Sequence, residues 1–140
     1  MQYSGGIVVL SAVLAAVPTA ARAEKPGSMD AMRWHHRVVL MSSPDAGDPN
    51  LAAQRRILDD WKAGAADRDI VLVQVGAAQA QGTTDSANAL RKRYELPASG
   101  FQVLLIGKDG HVALRSAQPI SAATLAGTID AMPMRKAGQR

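Results

Sequence analysis

Two aspartates three residues apart, Asp45 and Asp48, share a turn-rich stretch over residues 42–50 (SSPDAGDPN) with Ser43. Carboxylates at that spacing can meet one calcium ion, but calcium takes about six to eight oxygens and this stretch offers only these two carboxylates. Asp48 stands directly before Pro49, the arrangement of a helix N-cap followed by proline at the first helical position. Capping is therefore the expected role of the two acids, and no metal site is assigned. As an exposed loop on a scaffold, the stretch remains the candidate surface for a partner, through Ser43, Asp45 and Asp48. His35 and His36 also carry metal-binding chemistry, yet neighbours on an extended segment point to opposite faces and do not readily share one ion. Ser42, Ser43 and Ser116 lack the Gly-x-Ser-x-Gly elbow of a nucleophilic serine. Gly107 and Gly110 precede a strand-like segment where a phosphate cradle needs a helix, so they read as a hairpin turn. Asp67-Arg68-Asp69 falls in a loop feeding a strand, where local pairing and solvation are expected. No catalytic residue and no cofactor-binding residue is assigned.

The chain has no cysteine, which excludes a disulfide, a thiolate nucleophile and a lipid-attachment thiol. Its net charge of +4 comes from 16 basic residues interleaved with 12 acidic ones. The densest basic run is Arg91-Lys92-Arg93, and phosphate recognition needs a larger patch. Nucleic acid is not expected as a partner.

Residues 7–17 (IVVLSAVLAAV) form an apolar run too short for a helix crossing a hydrocarbon core of roughly 30 Å, but suited to the centre of a signal peptide. Ala21-Arg22-Ala23 follows and supplies the small residues of a cleavage site, which puts cleavage after Ala23. The first six residues carry no Lys or Arg, a departure from the usual positively charged start. The expected organisation is a signal peptide over 1–23, one domain over 24–136 and a loose tail over 137–140. The product is periplasmic or secreted, without a stable membrane anchor after processing.

The mature part alternates buried-strand and helix patterns. Val38 to Met41 (VVLM) and Ile70 to Val75 (IVLVQV) read as buried strands. Between them Leu51, Gln54, Leu58 and Trp61 recur at helical spacing, with Gly64 as the expected stop. Thr84 or Asp85 is expected to cap a second helix carrying Ala87, Leu90 and Tyr94 inward. Val103 to Ile106 and His111 to Arg115 read as a hairpin joined at Asp109-Gly110. Ser121 opens a last helix with Leu125, Ile129 and Met132 on one face, ended by Pro133. The order β-α-β-α-β-β-α is that of the thioredoxin fold, which implies an α/β domain with a four-stranded mixed sheet, order 2-1-3-4, flanked by helices.

Met32-Arg33-Trp34, Ser43-Pro44-Asp45, Asp67-Arg68-Asp69, Gly100-Phe101, the string Leu105-Ile106-Gly107-Lys108-Asp109-Gly110, Leu114-Arg115-Ser116 and Ile129-Asp130-Ala131-Met132-Pro133-Met134-Arg135 together resemble the domain-of-unknown-function 4174 family, over nearly the whole mature chain. The resemblance implies a thioredoxin-like fold in exported bacterial proteins, with related domains in animal sushi-repeat-containing proteins, and it implies no activity. A thioredoxin keeps Cys-x-x-Cys after its first core strand, where this chain has residues 43–48 without sulfur, and a cis-proline before its third, where this chain has Gln102. The function expected from the sequence is a redox-inactive thioredoxin-like binding module, with an envelope or extracellular protein or a small ligand as partner. The alternatives are a cysteine-independent enzyme using the loop from Ser43 to Asp48, and a purely structural envelope protein.

Overall fold

The computed structural model describes residues 27–138; the expected leader and its expected cleavage after Ala23 lie outside them. The apolar tetrad Val38 to Met41 sits within β1, Arg37–Ser42, every residue of which is buried. β2, Ile70–Val75, runs parallel to it, with Arg37 opposite Ile70 and Ser42 opposite Val75. The chain then turns back as the two-residue β3, Ala80–Gln81, antiparallel to β2. β4, Gln102–Ile106, lies antiparallel on the other side of β1, and β5, Val112–Ser116, pairs antiparallel with β4. The sheet is therefore five-stranded, in the order β3-β2-β1-β4-β5, rather than the four-stranded sheet expected. Gly82 permits the extra strand. It has φ +84°, and a Cβ there would lie 2.3 Å from the Leu72 carbonyl oxygen. Because β3 covers so little of it, β2 is less buried than its composition suggests, and only Val73 and Val75 are fully enclosed.

Side chains alternate along the central strands, as the period of two requires. Val38, Leu40, Leu104 and Ile106 face one core with Met29, Met32, Leu90 and Tyr94. Val39, Met41, Val103 and Leu105 face a second core with Leu51, Leu58, Leu125 and Ile129. The first core lies under α1, Met29–Met32, and α4, Ala87–Tyr94; the second lies under α2, Pro49–Asp60, and α5, Ala122–Asp130. Helices thus cover both faces of the sheet, which explains the unbroken apolar run in β1.

Three boundaries depart from the sequence reading. Gly64 does not stop the first long helix. After a break at Trp61 the chain continues as α3, Lys62–Asp67, and a Cβ at position 64 would fall 1.9 Å from Trp61 Nε1. That glycine makes room for an indole. Trp61 itself is half-buried against the second core, with the Arg68 guanidinium 5.1 Å from its ring centroid, rather than enclosed in it. The cap of α4 is Ser86, which accepts from the Ala89 N–H at 3.1 Å, rather than Thr84 or Asp85. Asp85 instead accepts from the Met29 N–H at 2.7 Å and from the Thr83 hydroxyl at 3.0 Å, tying α1 to the start of α4. Finally, α5 ends at Asp130, short of Met132, and Pro133 begins another helix, α6, Pro133–Lys136. Proline suits that first position because it lacks an N–H that the first turn would leave unpaired.

Candidate functional site

The expected loop lies where β1 ends. Its polar groups bond mainly to one another. Ser43 Oγ donates to Asp48 Oδ2 at 3.0 Å, Asp48 Oδ1 accepts from the Asn50 N–H at 2.9 Å, and Asp45 Oδ1 accepts from the Gly47 N–H at 2.9 Å. Asp48 is the N-cap of α2, and Asp45 builds the turn that presents it. Ser43 is 2% exposed; buried, and bonded to a carboxylate with no imidazole between them, it lacks the base and the access that a nucleophile needs. An open groove of about 550 Å³ runs from this loop along α2, lined by Arg55, Arg56, Asp59 and Asp60 among others. Asp48→Ala is expected to cost about 1 kcal/mol, the usual value of such a cap. Chemical denaturation checks this, and a loss below a few tenths of a kcal/mol would remove the capping role.

His35 and His36 lie in the turn after α1 rather than on an extended segment, their N–H groups both donating to the Met32 carbonyl at 3.0 and 2.8 Å. Among the described residues no group of three His, Cys, Asp or Glu side chains comes together. Gly107 and Gly110 form a tight turn, with a 3.0 Å bond from the Gly110 N–H to the Gly107 carbonyl and φ +86° at Gly110.

The densest chemistry lies at the other end of β1. Asp67-Arg68-Asp69 pairs across the fold rather than locally. Arg68 holds the Asp130 carboxylate with two bonds, at 3.0 and 3.2 Å, and reaches the Gly64 carbonyl at 3.1 Å. Arg135 of α6 pairs with Asp67 and reaches Asp130 at 3.3 Å, which docks α6 against the end of α3 and of α5. The Asp130 carboxyl is held below its ordinary range, first by the hydrogen bond from Arg68. Asp69 receives the Lys108 ammonium at 2.9 Å, and its backbone carbonyl accepts from the Arg37 N–H at 2.9 Å.

Lys108 and Arg37 are 4% and 1% exposed, a degree of burial rare for either type. Arg37 Nη1 donates to the Arg68 carbonyl at 2.9 Å, while its Nε is buried without a hydrogen-bond partner. Desolvation, followed by the positive charge of Arg135, lowers the pKa of Arg37. Both cations line a cleft of about 400 Å³ whose other walls include Trp34, Ala113, Met132 and Met134. Trp34 is 57% exposed, and its backbone takes φ +71°, an uncommon conformation for a bulky residue. Its backbone N–H donates to the Lys108 carbonyl at 2.6 Å, which ties the Trp34 backbone to the turn after β4, and the Arg33 guanidinium lies 5.2 Å from its ring centroid.

Three of the strings that carry the family resemblance meet at this cleft: Met32-Arg33-Trp34, the Gly107-Lys108-Asp109 turn, and the Met132-Pro133-Met134 segment. The family model for this domain of unknown function, number 4174, matches residues 28–138. The chain belongs to that family. No curated protein matches it. Within this member, three of the strings meet at the cleft, while Ser43-Pro44-Asp45 lies in the loop from Ser43 to Asp48. Sequence reasoning missed Arg37, Trp34, Lys108, Met132 and Met134 as one site. The available signals were a lysine directly after the buried run Val103 to Gly107, and a Met-Pro-Met segment more apolar than a solvated tail needs.

Proposed function

We propose that this chain is an exported, redox-inactive, thioredoxin-like binding module, and that it binds through the cleft beside Trp34. The thioredoxin-like reading is supported by the neighbours of β1, parallel β2 on one side and antiparallel β4 with its hairpin partner on the other. In that framework the loop from Ser43 to Asp48 stands where a dithiol would, and it offers no sulfur. The observation that carries the binding reading is Trp34, a large, exposed indole on a backbone of positive φ, on the wall of a concave, largely apolar site. Loops on a rigid scaffold are the usual carriers of such sites, and a cleft of about 300–1,000 Å³ with a few polar groups is typical of small-ligand binding.

The test is made on protein exported by the cell. Intact mass is expected to begin at Glu24, and a photo-reactive residue at position 34 is expected to give a discrete adduct that the same residue at position 45 does not. Full-length chain held in the membrane would overturn export. Adducts at position 45 but not at 34 would return the binding role to the loop from Ser43 to Asp48.

A further inference from the structure

We infer that the cleft beside Trp34 takes a small amphipathic carboxylate, its apolar body against the indole and the two methionines and its charged end toward Lys108 and Arg37. This rests on the binding reading above and adds the class of ligand. The walls supply the first half of the match. Trp34, Met132 and Met134 put an aromatic ring and two adaptable thioethers on one lining, a combination that accommodates aromatic or aliphatic bodies.

The charges supply the second half. Two cations, each more than nine-tenths buried, line the same cleft. Lys108 Nζ makes one hydrogen bond, to Asp69 at 2.9 Å, and an ammonium has three donors. Arg37 Nε has no partner, and a buried donor left unmade is costly. Asp109, a carboxylate on the same lining, accepts from the His111 N–H at 3.0 Å and faces its ring nitrogen at 3.3 Å, so its bonds are committed to the hairpin turn. Asp69 offsets one positive charge of the pair. The two donors left on Lys108, with the guanidinium charge of Arg37 on the same lining, fit one anionic head, and a carboxylate matches ammonium donors well. A neutral ligand of the same shape would leave those donors unanswered, and such a mismatch discriminates strongly.

The experiment uses the mature protein and a matched pair of probes, 1-naphthylacetate and its neutral amide, followed by calorimetric titration. One-to-one binding of the acetate is expected, with the amide at least tenfold weaker. Ala113→Trp, on the exposed face of β5, fills the cleft from its rim and is expected to abolish binding while leaving the melting temperature unchanged. Trp34→Ala, at an exposed position, is the second variant, expected to weaken the acetate at least tenfold. Equal affinity for acetate and amide would overturn the carboxylate inference while leaving the binding reading intact. Acetate binding unchanged in both variants would put the probe elsewhere and overturn the inference, and no binding of either probe at millimolar concentration would overturn the cleft as a ligand site altogether.

Discussion

Gln54→Leu is expected to lower the thermal midpoint by about 10 °C, a loss of roughly 2–4 kcal/mol, although leucine fills the same space with a more apolar side chain. Gln54 is fully buried on α2, 66 residues from its partner, and its amide clasps both backbone polar groups of one residue. The Ile120 N–H donates to Gln54 Oε1 at 2.7 Å, and Gln54 Nε2 donates to the Ile120 carbonyl at 3.1 Å. Ile120 immediately precedes Ser121, the N-cap of α5, so the clasp fixes where that helix starts above the second core. Leucine would leave both backbone groups buried and unpaired, which costs more than the added apolar burial returns. Gln54→Glu separates the clasp from simple packing. Its carboxyl, buried against a carbonyl, should have a folded pKa raised above the unfolded value of about 4.3, because burial and the acceptor both disfavour the charge. A raised folded pKa means stability that is full below the unfolded pKa and lost as pH rises toward the folded one. The Glu variant should thus approach the parent near pH 4 and fall away toward neutrality, whereas the Leu variant should show no such added dependence. A Leu variant within half a kcal/mol of the parent would show that Ile120 needs no clasp.

The inward placement of Gln54 was legible in the sequence, because its spacing from Leu51 and Leu58 puts it on the buried stripe, and the structure has all three enclosed. The central strands and the Asp109-Gly110 turn were legible for a similar reason: each is dictated by residues adjacent in sequence. What remained hidden depends on contacts across long separations. β3 has two residues, too few to show an alternation. Ser86 displaced Asp85 as a cap because Asp85 was recruited by Met29, 56 positions away. Lys108 sits in a string that reads as a turn, and its burial follows from Asp69, 39 positions earlier. The cleft was hidden for the same reason. A loop rich in Asp and Ser draws attention, yet its groups bond largely to neighbours, whereas the cleft is assembled from β1, the β4–β5 hairpin and the start of α6, none of which looks reactive alone.

Asp69→Ala is expected to be the more damaging of the substitutions around that cleft, at about 3–5 kcal/mol, because removing one partner of a buried pair leaves the other charge uncompensated. Lys108 keeps only 3% of its side-chain surface in water, against 32% for Asp69, so the orphaned ammonium bears most of the penalty. Arg37 suffers too, since Asp69 is the leading group that favours its charged form. Asp69 also adopts φ +53°, which aspartate tolerates and alanine does so only with strain. Three further variants divide these causes. Asp69→Gly removes the backbone strain along with the charge, and Asp69→Asn keeps the shape and the tolerance of positive φ while losing only the charge. If pairing dominates, both should remain strongly destabilised; a glycine variant as stable as the parent would assign the effect to the backbone. Adding Lys108→Met to Asp69→Asn should recover much of the loss, because an apolar replacement of a buried ion pair is often near neutral. The part not recovered would measure what Asp69 does for Arg37. Full additivity of the two substitutions in a double-mutant cycle, with no recovery, would show that the 2.9 Å contact between Lys108 and Asp69 carries no coupling and that the ammonium is stabilised by some other group.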